Sequence, residues 1–342
     1  MNKGGCVMNI WYKYFVTLTV TIILSWPGMI NASEWKNPEL LIDAKTLNKH
    51  INDKNWVVVD CRSLKDYLKG HIPGAINFGK RCKKALRDTT SRAHRDAAKY
   101  EKLFSNAGIE NSNYVVYYYD GLKTLTDATV GFWITEYLGH DKVQVLNGGL
   151  DAWRKAGLRL STKPSMREKS NFKSKVNYSR YGATDEVLKI ADGSLKAVQI
   201  IDSRTKKEHA GADIRAIRGG YVPNTTLNIS HLDTLASKKN PKTGKMQTIA
   251  YFDAGVVEKA FSSLDKNKRT LAYCQTGTRS TMTYLQLRLM GFKDPANWDD
   301  SWRIYGSSLR YPVANEQWFN FAGLNKKLKK LEKKVAKLEA TK

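Results

Sequence analysis

Trp56-Val57-Val58-Val59-Asp60-Cys61-Arg62 has a counterpart further along the chain in Val198-Gln199-Ile200-Ile201-Asp202-Ser203-Arg204. Each reads as a short apolar strand buried on both faces, and each ends in Asp-x-Arg. Outward from these runs the same order of features repeats. A glycine-proline turn comes next, Gly70-His71-Ile72-Pro73-Gly74-Ala75-Ile76-Asn77 and then Gly220-Tyr221-Val222-Pro223-Asn224. A second apolar strand follows, Tyr114-Val115-Val116-Tyr117-Tyr118-Tyr119-Asp120 and Thr270-Leu271-Ala272-Tyr273-Cys274. Helical patterns then run from Ala128 to Leu138, ending at Gly139, and from Ser280 to Met290, ending at Gly291. Strands alternating with helices, twice over, predict a duplicated α/β chain with two parallel sheets flanked by helices.

The 342 residues suffice for two such domains, each with its own core. With 42% apolar and 26% charged residues, the chain is neither wholly disordered nor a polytopic membrane protein. A net charge of +25 favours anionic partners: small oxyanions, nucleic acid or acidic lipid. The basic residues are scattered or lie in the tail, and no recognition motif accompanies them, which argues against nucleic acid. Four cysteines without a CxxC spacing exclude a disulfide scaffold, a zinc ribbon, a thioredoxin-type redox pair and covalent c-type haem. The six histidines show no metal-ligand spacing.

Lys3 and Lys13 precede an apolar run from Phe15 to Trp26, followed by Pro27 and the small pair Ala32-Ser33. This pattern predicts a secretory signal over residues 1–32; the alternative is an uncleaved anchor, although a spanning helix needs about 20 apolar residues. Export would place the protein in the periplasm or another oxidising compartment. Cleavage would leave Cys61, Cys82 and Cys274, so at least one thiol has no partner within the chain.

Domain 1 is expected over residues 38–160, a polar, basic linker over 161–180, domain 2 over 181–313, and a basic helix over 314–342. In the last segment Leu324, Leu328, Leu331, Val335 and Leu338 follow a 4-3-4-3 spacing, and from Leu324 onward there are eight lysines and two glutamates. Three readings stand side by side: a helix packed on its own domain or frayed, self-association, or contact with an anionic membrane surface.

Candidate chemistry centres on Cys274-Gln275-Thr276-Gly277-Thr278-Arg279-Ser280-Thr281. A cysteine at the C-terminal end of a strand, then a short loop, then a helix, stands where open α/β sheets bind ligands. Loop amides and the helix N-terminus converge there and favour a thiolate, with Arg279 adding positive charge. Gly277 lets the backbone fold tightly round the sulfur. Tyrosine-type phosphatases and arsenate reductases use a loop one residue longer, wide enough for a tetrahedral oxyanion. The tighter loop here suits a single added sulfur atom.

With these motifs in order over roughly residues 38 to 313, the chain resembles the tandem-domain rhodaneses, the family of thiosulfate and 3-mercaptopyruvate sulfurtransferases. Asp60-x-Arg62 with Tyr67 and Gly70 to Asn77 resembles the family's N-terminal motif. Val145-Leu146-Asn147-Gly148-Gly149-Leu150-Asp151-Ala152-Trp153 resembles its domain-closing motif, and Asn297-Trp298-Asp299-Asp300-Ser301-Trp302 its final turn. The resemblance implies two rhodanese-like domains and ping-pong transfer through a persulfide on Cys274. Gln275, Thr276, Gly277, Thr278, Arg279 and Ser280 would form the active loop, with Asp202 and Arg204 in support. It also implies a small anionic sulfur donor, a thiol, cyanide or protein acceptor, and no metal or organic cofactor. Asp120 occupies the cysteine position of domain 1, which would be silent. The turn at Tyr221 is a looser match. Cys-Gln-Thr-Gly differs from the loops of both thiosulfate and mercaptopyruvate enzymes, and Glu208 stands where some thiosulfate enzymes carry an arginine, so the donor stays open. Two other readings are a non-catalytic sulfur-binding scaffold and a Cys-dependent phosphatase or arsenate reductase. Cys61 and Cys82 read as structural, with a disulfide between them left open. Trp153 and Trp302 read as packing residues, Trp302 alternatively as part of the site mouth.

Overall fold

The structure is a computed structural model that describes residues 34–87 and 95–341. The expected signal segment lies outside them. No helix among the described residues is long and apolar enough to cross a membrane.

In the first half, β1 (Leu41–Ile42), β2 (Trp56–Asp60), β3 (Tyr114–Tyr118) and β4 (Val143–Leu146) form one sheet in the order β1-β4-β3-β2. All its pairings are parallel. The unbroken apolar run of β2 is explained by burial on both faces. Val57 and Val59 join the core shared with Val115 and Tyr117, whereas Val58 joins the opposite core with Val116 and Tyr118.

The second half adds β5 (Gln199–Asp202), β6 (Arg218–Tyr221), β7 (Leu227–Asn228), β8 (Ser237–Lys239), β9 (Met246–Thr248), β10 (Arg269–Tyr273), β11 (Asp294–Asn297) and β12 (Ala314–Trp318). Four of them build a parallel sheet in the order β11-β10-β5-β7. The duplication extends to single bonds. Arg62 grips Asp60 through Nε at 3.0 Å and Nη2 at 2.6 Å and reaches the Gly70 carbonyl at 2.7 Å. Arg204 does the same to Asp202 at 2.9 and 2.6 Å and to Gly220 at 2.8 Å. Asn77 and Asn228 each donate to the two carbonyls flanking this unit. Both Asp-x-Arg pairs therefore tie a strand end to its following turn.

The looser turn at Tyr221 is a compensated exchange. In domain 1 Tyr67, from a helix, stacks on His71, from the turn, at 3.9 Å; in domain 2 the helix supplies His209 and the turn Tyr221, also 3.9 Å apart.

The helix expected from Ala128 begins earlier and spans Leu122–Tyr137. It is buried nearly all round because it lies between its sheet and the helix Ser280–Leu289 of the other half. Thr129 and Thr281 share a hydroxyl hydrogen bond of 2.8 Å across this contact, and Glu136 pairs with Arg288 at 2.8 Å and accepts from the Tyr284 hydroxyl at 2.5 Å.

Residues 161–180 lie along domain 1. Ser161 bridges to His71, the Ser165 amide donates to the Tyr67 hydroxyl, and Phe172 is buried. Cys61 and Cys82 are joined by a disulfide with their Cα atoms 4.7 Å apart. Closing a loop of 21 residues removes chain entropy from the unfolded state worth about 3 kcal/mol.

Two expectations for residues 314–342 need correction. The segment does not begin as helix: β12 pairs antiparallel with β6, and Glu316 meets Arg218 at 2.5 Å, before the helix Phe321–Glu339 starts. That helix does not pack on its own domain, since none of its residues is buried.

Candidate active site

Cys274 follows the last residue of β10 and is fully buried. Its amide donates to the Ser301 hydroxyl at 3.1 Å, and its carbonyl accepts from the Trp302 amide at 3.0 Å. The loop then turns at Gly277, whose φ of +75° is left-handed. A Cβ there would lie 2.5 Å from Asp299 Oδ1 and 2.6 Å from the Asp299 carbonyl oxygen, so the turn excludes any side chain. Ser280 opens the helix. Its hydroxyl stands 3.7 Å from Cys274 Sγ and donates to Asn297 Oδ1 at 2.6 Å, while Asn297 Nδ2 donates to the Gly277 carbonyl at 3.2 Å. Gln275 points its amide to the Arg215 carbonyl at 2.7 Å.

Burial alone would push the Cys274 thiol up. The Arg279 charge, then hydrogen bonds from the Thr276 and Ser280 amides and the Ser280 hydroxyl, outweigh it and leave the thiol below its ordinary value. Arg279 is itself tethered: Nη1 and Nη2 reach the buried Glu208 carboxylate at 2.8 and 2.7 Å. Burial would raise Glu208, but the Arg279 hydrogen bond and charge win and hold it at about 2. Beside its cysteine loop the chain therefore keeps a buried carboxylate that partly neutralises Arg279. His231 lies in the same field. Burial, with the Arg279 charge second, holds its ring down at about 4, so it is neutral at physiological pH.

Asp202 and Arg204 stand behind the loop. Burial would raise the Asp202 carboxyl; Arg204 first, then His209 at 2.8 Å, bring it to about 2. Trp302 is buried over the Arg204 guanidinium, 4.4 Å from ring centre to Cζ, which makes it a packing residue rather than a lining of the mouth.

One contributor comes from the other domain. Arg87 directly follows the helix Cys82–Leu86, whose first residue is disulfide-bonded to Cys61. Its side chain is 1% exposed and pairs with Asp299 at 2.6 Å. It donates to Thr278 Oγ1 and to the Thr276 carbonyl. No sequence signal marks Arg87, because its partners lie in the second domain. Asn297, Asp299 and Ser301 fall within the final-turn motif noted above, but their grip on the cysteine loop is visible only in three dimensions.

In domain 1 the expected placement of Asp120 needs correction: Tyr118 pairs with Asp60 as Tyr273 pairs with Asp202, and the Tyr119 carbonyl accepts from Leu150 as that of Cys274 does from Trp302, so Tyr119 stands at the cysteine position and Asp120 one residue beyond. Asp120 and Gly121 alone separate Tyr119 from the helix beginning at Leu122, so there is no cradle. The Asp120 carboxylate is held by Arg154 at 3.2 Å and Arg62 at 3.7 Å, at the edge of a cavity of about 500 Å³ that Lys69, Arg81 and Lys123 also line.

The rhodanese-like domain model matches residues 43–156 and 184–307. The chain belongs to the rhodanese family. A thiosulfate sulfurtransferase of Corynebacterium glutamicum is 28% identical over 297 residues, covering 82% of this chain and 92% of that protein. Among solved structures, an anaerobic ergothioneine biosynthesis enzyme from Chlorobium limicola, in complex with trimethyl histidine, aligns with a TM-score of 0.69 at 20% identity over 81% of this chain and 70% of that one. A structure of EanB with a cysteine persulfide and ergothioneine aligns equally well, at 0.69 and 20%, over 82% and 71%. These structural likenesses speak to the fold. Rhodanese membership supports sulfur transfer as the general chemistry.

Since Arg279 is the largest influence lowering the thiol, Arg279→Gln should move the Cys274 ionisation upward. Thiolate grows as pH rises, so the acid limb of the alkylation rate against pH should shift to higher pH in the variant. An unchanged midpoint would show that the amides alone set it.

Proposed function

We propose that this rhodanese moves a sulfane sulfur from thiosulfate or a related donor to a thiophilic acceptor through a persulfide on Cys274. The observation that carries the reading is a buried cysteine whose thiolate is favoured by Arg279 and two loop amides, in a loop one residue shorter than that of the tyrosine-type phosphatases. In the first half-reaction the Cys274 thiolate attacks the outer sulfur of the donor. A Cys–S–S bond forms, the donor's S–S bond breaks, and its electron pair leaves on sulfite. Amides of the loop then face the terminal sulfur and carry its negative charge. In the second half-reaction a thiol, cyanide or protein nucleophile attacks that sulfur, and the electron pair returns to Cys274.

Domain 1 takes no direct part in the chemistry, because neither Tyr119, at the cysteine position, nor Asp120 beside it can carry sulfane sulfur, and no loop surrounds them. Its service is structural, through Arg87. The Glu208–Arg279 pair leaves less free positive charge for an anionic donor than a lone arginine would, so thiosulfate, mercaptopyruvate and polysulfide all belong in the donor panel. The basic, apolar and small-residue order before Glu34 supports export, with disulfide formation at Cys61–Cys82 suited to that compartment.

The test is direct. Protein incubated with each donor and analysed intact should gain about 32 Da, one sulfur, and should form thiocyanate when cyanide is added. Protein that acquires no sulfur from any donor would sink the enzymatic reading and leave a scaffold.

A further inference from the structure

The helix Phe321–Glu339 presents a face that nothing in the described chain covers. Phe321, Leu324, Leu328, Leu331, Val335 and Leu338 are each 40% to 67% exposed. Their alternating spacing forms one seam, with Phe321, Leu328 and Val335 at heptad position a and Leu324, Leu331 and Leu338 at d. The charges beside the seam are more informative. The only acids from Leu324 onward, Glu332 and Glu339, both fall at e, and Lys327 and Lys334 both fall at g.

We propose that this face docks a second copy of the chain as a parallel two-stranded coiled coil. In a parallel pair, each g residue meets the e residue of the partner's next heptad, so Lys327 faces Glu332 and Lys334 faces Glu339, from both helices. An antiparallel pair would set g against g and e against e, placing lysine on lysine and glutamate on glutamate. Leucine at every d, with Val335 as the one β-branched residue at a, is compatible with two strands. An anionic lipid surface matches the pattern less well. It would press both acids, which border the seam, toward the headgroups, whereas Lys326, Lys329, Lys330 and Lys333 lie on the far side. The seam is under three heptads, so association should depend on concentration within an accessible range.

Sedimentation of the full chain, from well below 1 μM to about 100 μM, should show the mass rising to that of a dimer. Leu331→Glu with Leu338→Glu, both exposed in the monomer, should stay monomeric and keep its circular dichroism spectrum and its melting temperature. The pair Glu332→Lys with Glu339→Lys should dimerise about tenfold more weakly, as should Lys327→Glu with Lys334→Glu, because each sets like charges together. Mixing those two proteins, one of them tagged, should restore pairing. The N-terminal apolar run is common to all of them, so differences report the tail. A wild type monomeric throughout, charge variants that associate as well as wild type, or no recovery on mixing would each overturn the proposal. So would flotation of monomeric wild type with phosphatidylglycerol vesicles, which would assign the face to lipid.

Discussion

Cys274→Ser protein should form no thiocyanate above background from thiosulfate and cyanide, and its intact mass should be unchanged by any sulfur donor. Serine is nearly isosteric with cysteine and makes the same backbone contacts to Ser301 and Trp302, so the thermal midpoint should move by only a few degrees. The hydroxyl, however, cannot serve here. Its pKa is far too high for Arg279 and two amides to ionise it, and the persulfide needs a sulfur that donates easily and leaves easily. Loss of about 10⁵-fold or more is the scale expected when a covalent nucleophile is removed. Sulfur retained on Cys274→Ser, on any described residue, would move the nucleophile elsewhere. Among the described residues the other two cysteines are bonded to each other, so labelling of those residues by a thiol reagent should fall on Cys274.

Arg87→Met should damage both stability and turnover, although Arg87 belongs to the domain without a nucleophile. Two separable effects are involved. The first is electrostatic: without the guanidinium, the buried Asp299 carboxylate loses its ion pair with Arg87, a loss on the order of 3–5 kcal/mol, or roughly 10 °C in a chain of this size. The second is geometric: the Thr276 carbonyl and Thr278 hydroxyl lose the donor that fixes them, and amides aimed at a sulfur lose effect when misplaced by an ångström, about 10²-fold in rate. Adding Asp299→Asn to Arg87→Met removes the buried charge that Arg87 had paired and should recover part of the melting temperature while kcat stays low. A fully active Arg87→Met, folded at the assay temperature, would reduce Arg87 to an interface residue with no role in positioning the loop. Sulfur loading and sulfur release followed separately would show which half-reaction depends on the loop's rigidity.

Much of the fold was legible because its signals are local. Val57 to Val59 and Ile200 to Ile201 advertise strands buried on both faces within a few residues, and Gly139 and Gly291 mark helix ends by the left-handed turn each adopts. The Cys274 loop was legible for the same reason: nucleophile, glycine and arginine lie within one turn of chain. The tail was legible in part. Its heptad spacing identified a helix, but β12 was missed, because Ala314 to Trp318 has no strand-like alternation and is extended only by pairing with β6. The start of the first long helix was missed as well. Leu122 to Asp127 carries mixed residues, and burial against the second domain makes it helical without an amphipathic pattern.

By itself the sequence determined the duplicated α/β architecture and singled out Cys274 as the candidate nucleophile, since both follow from periodicity and neighbour chemistry within a short window. Tertiary structure alone decided that Cys61 bonds Cys82, that Glu208 holds Arg279, and that Arg87 crosses from one domain to brace the loop of the other. The first two pairings depend on how each domain folds round its own sheet, and the third on how the two domains dock through the helices Leu122–Tyr137 and Ser280–Leu289. Contact between residues so far apart in the chain leaves no local trace, because the energy that selects it comes from burying both faces at once.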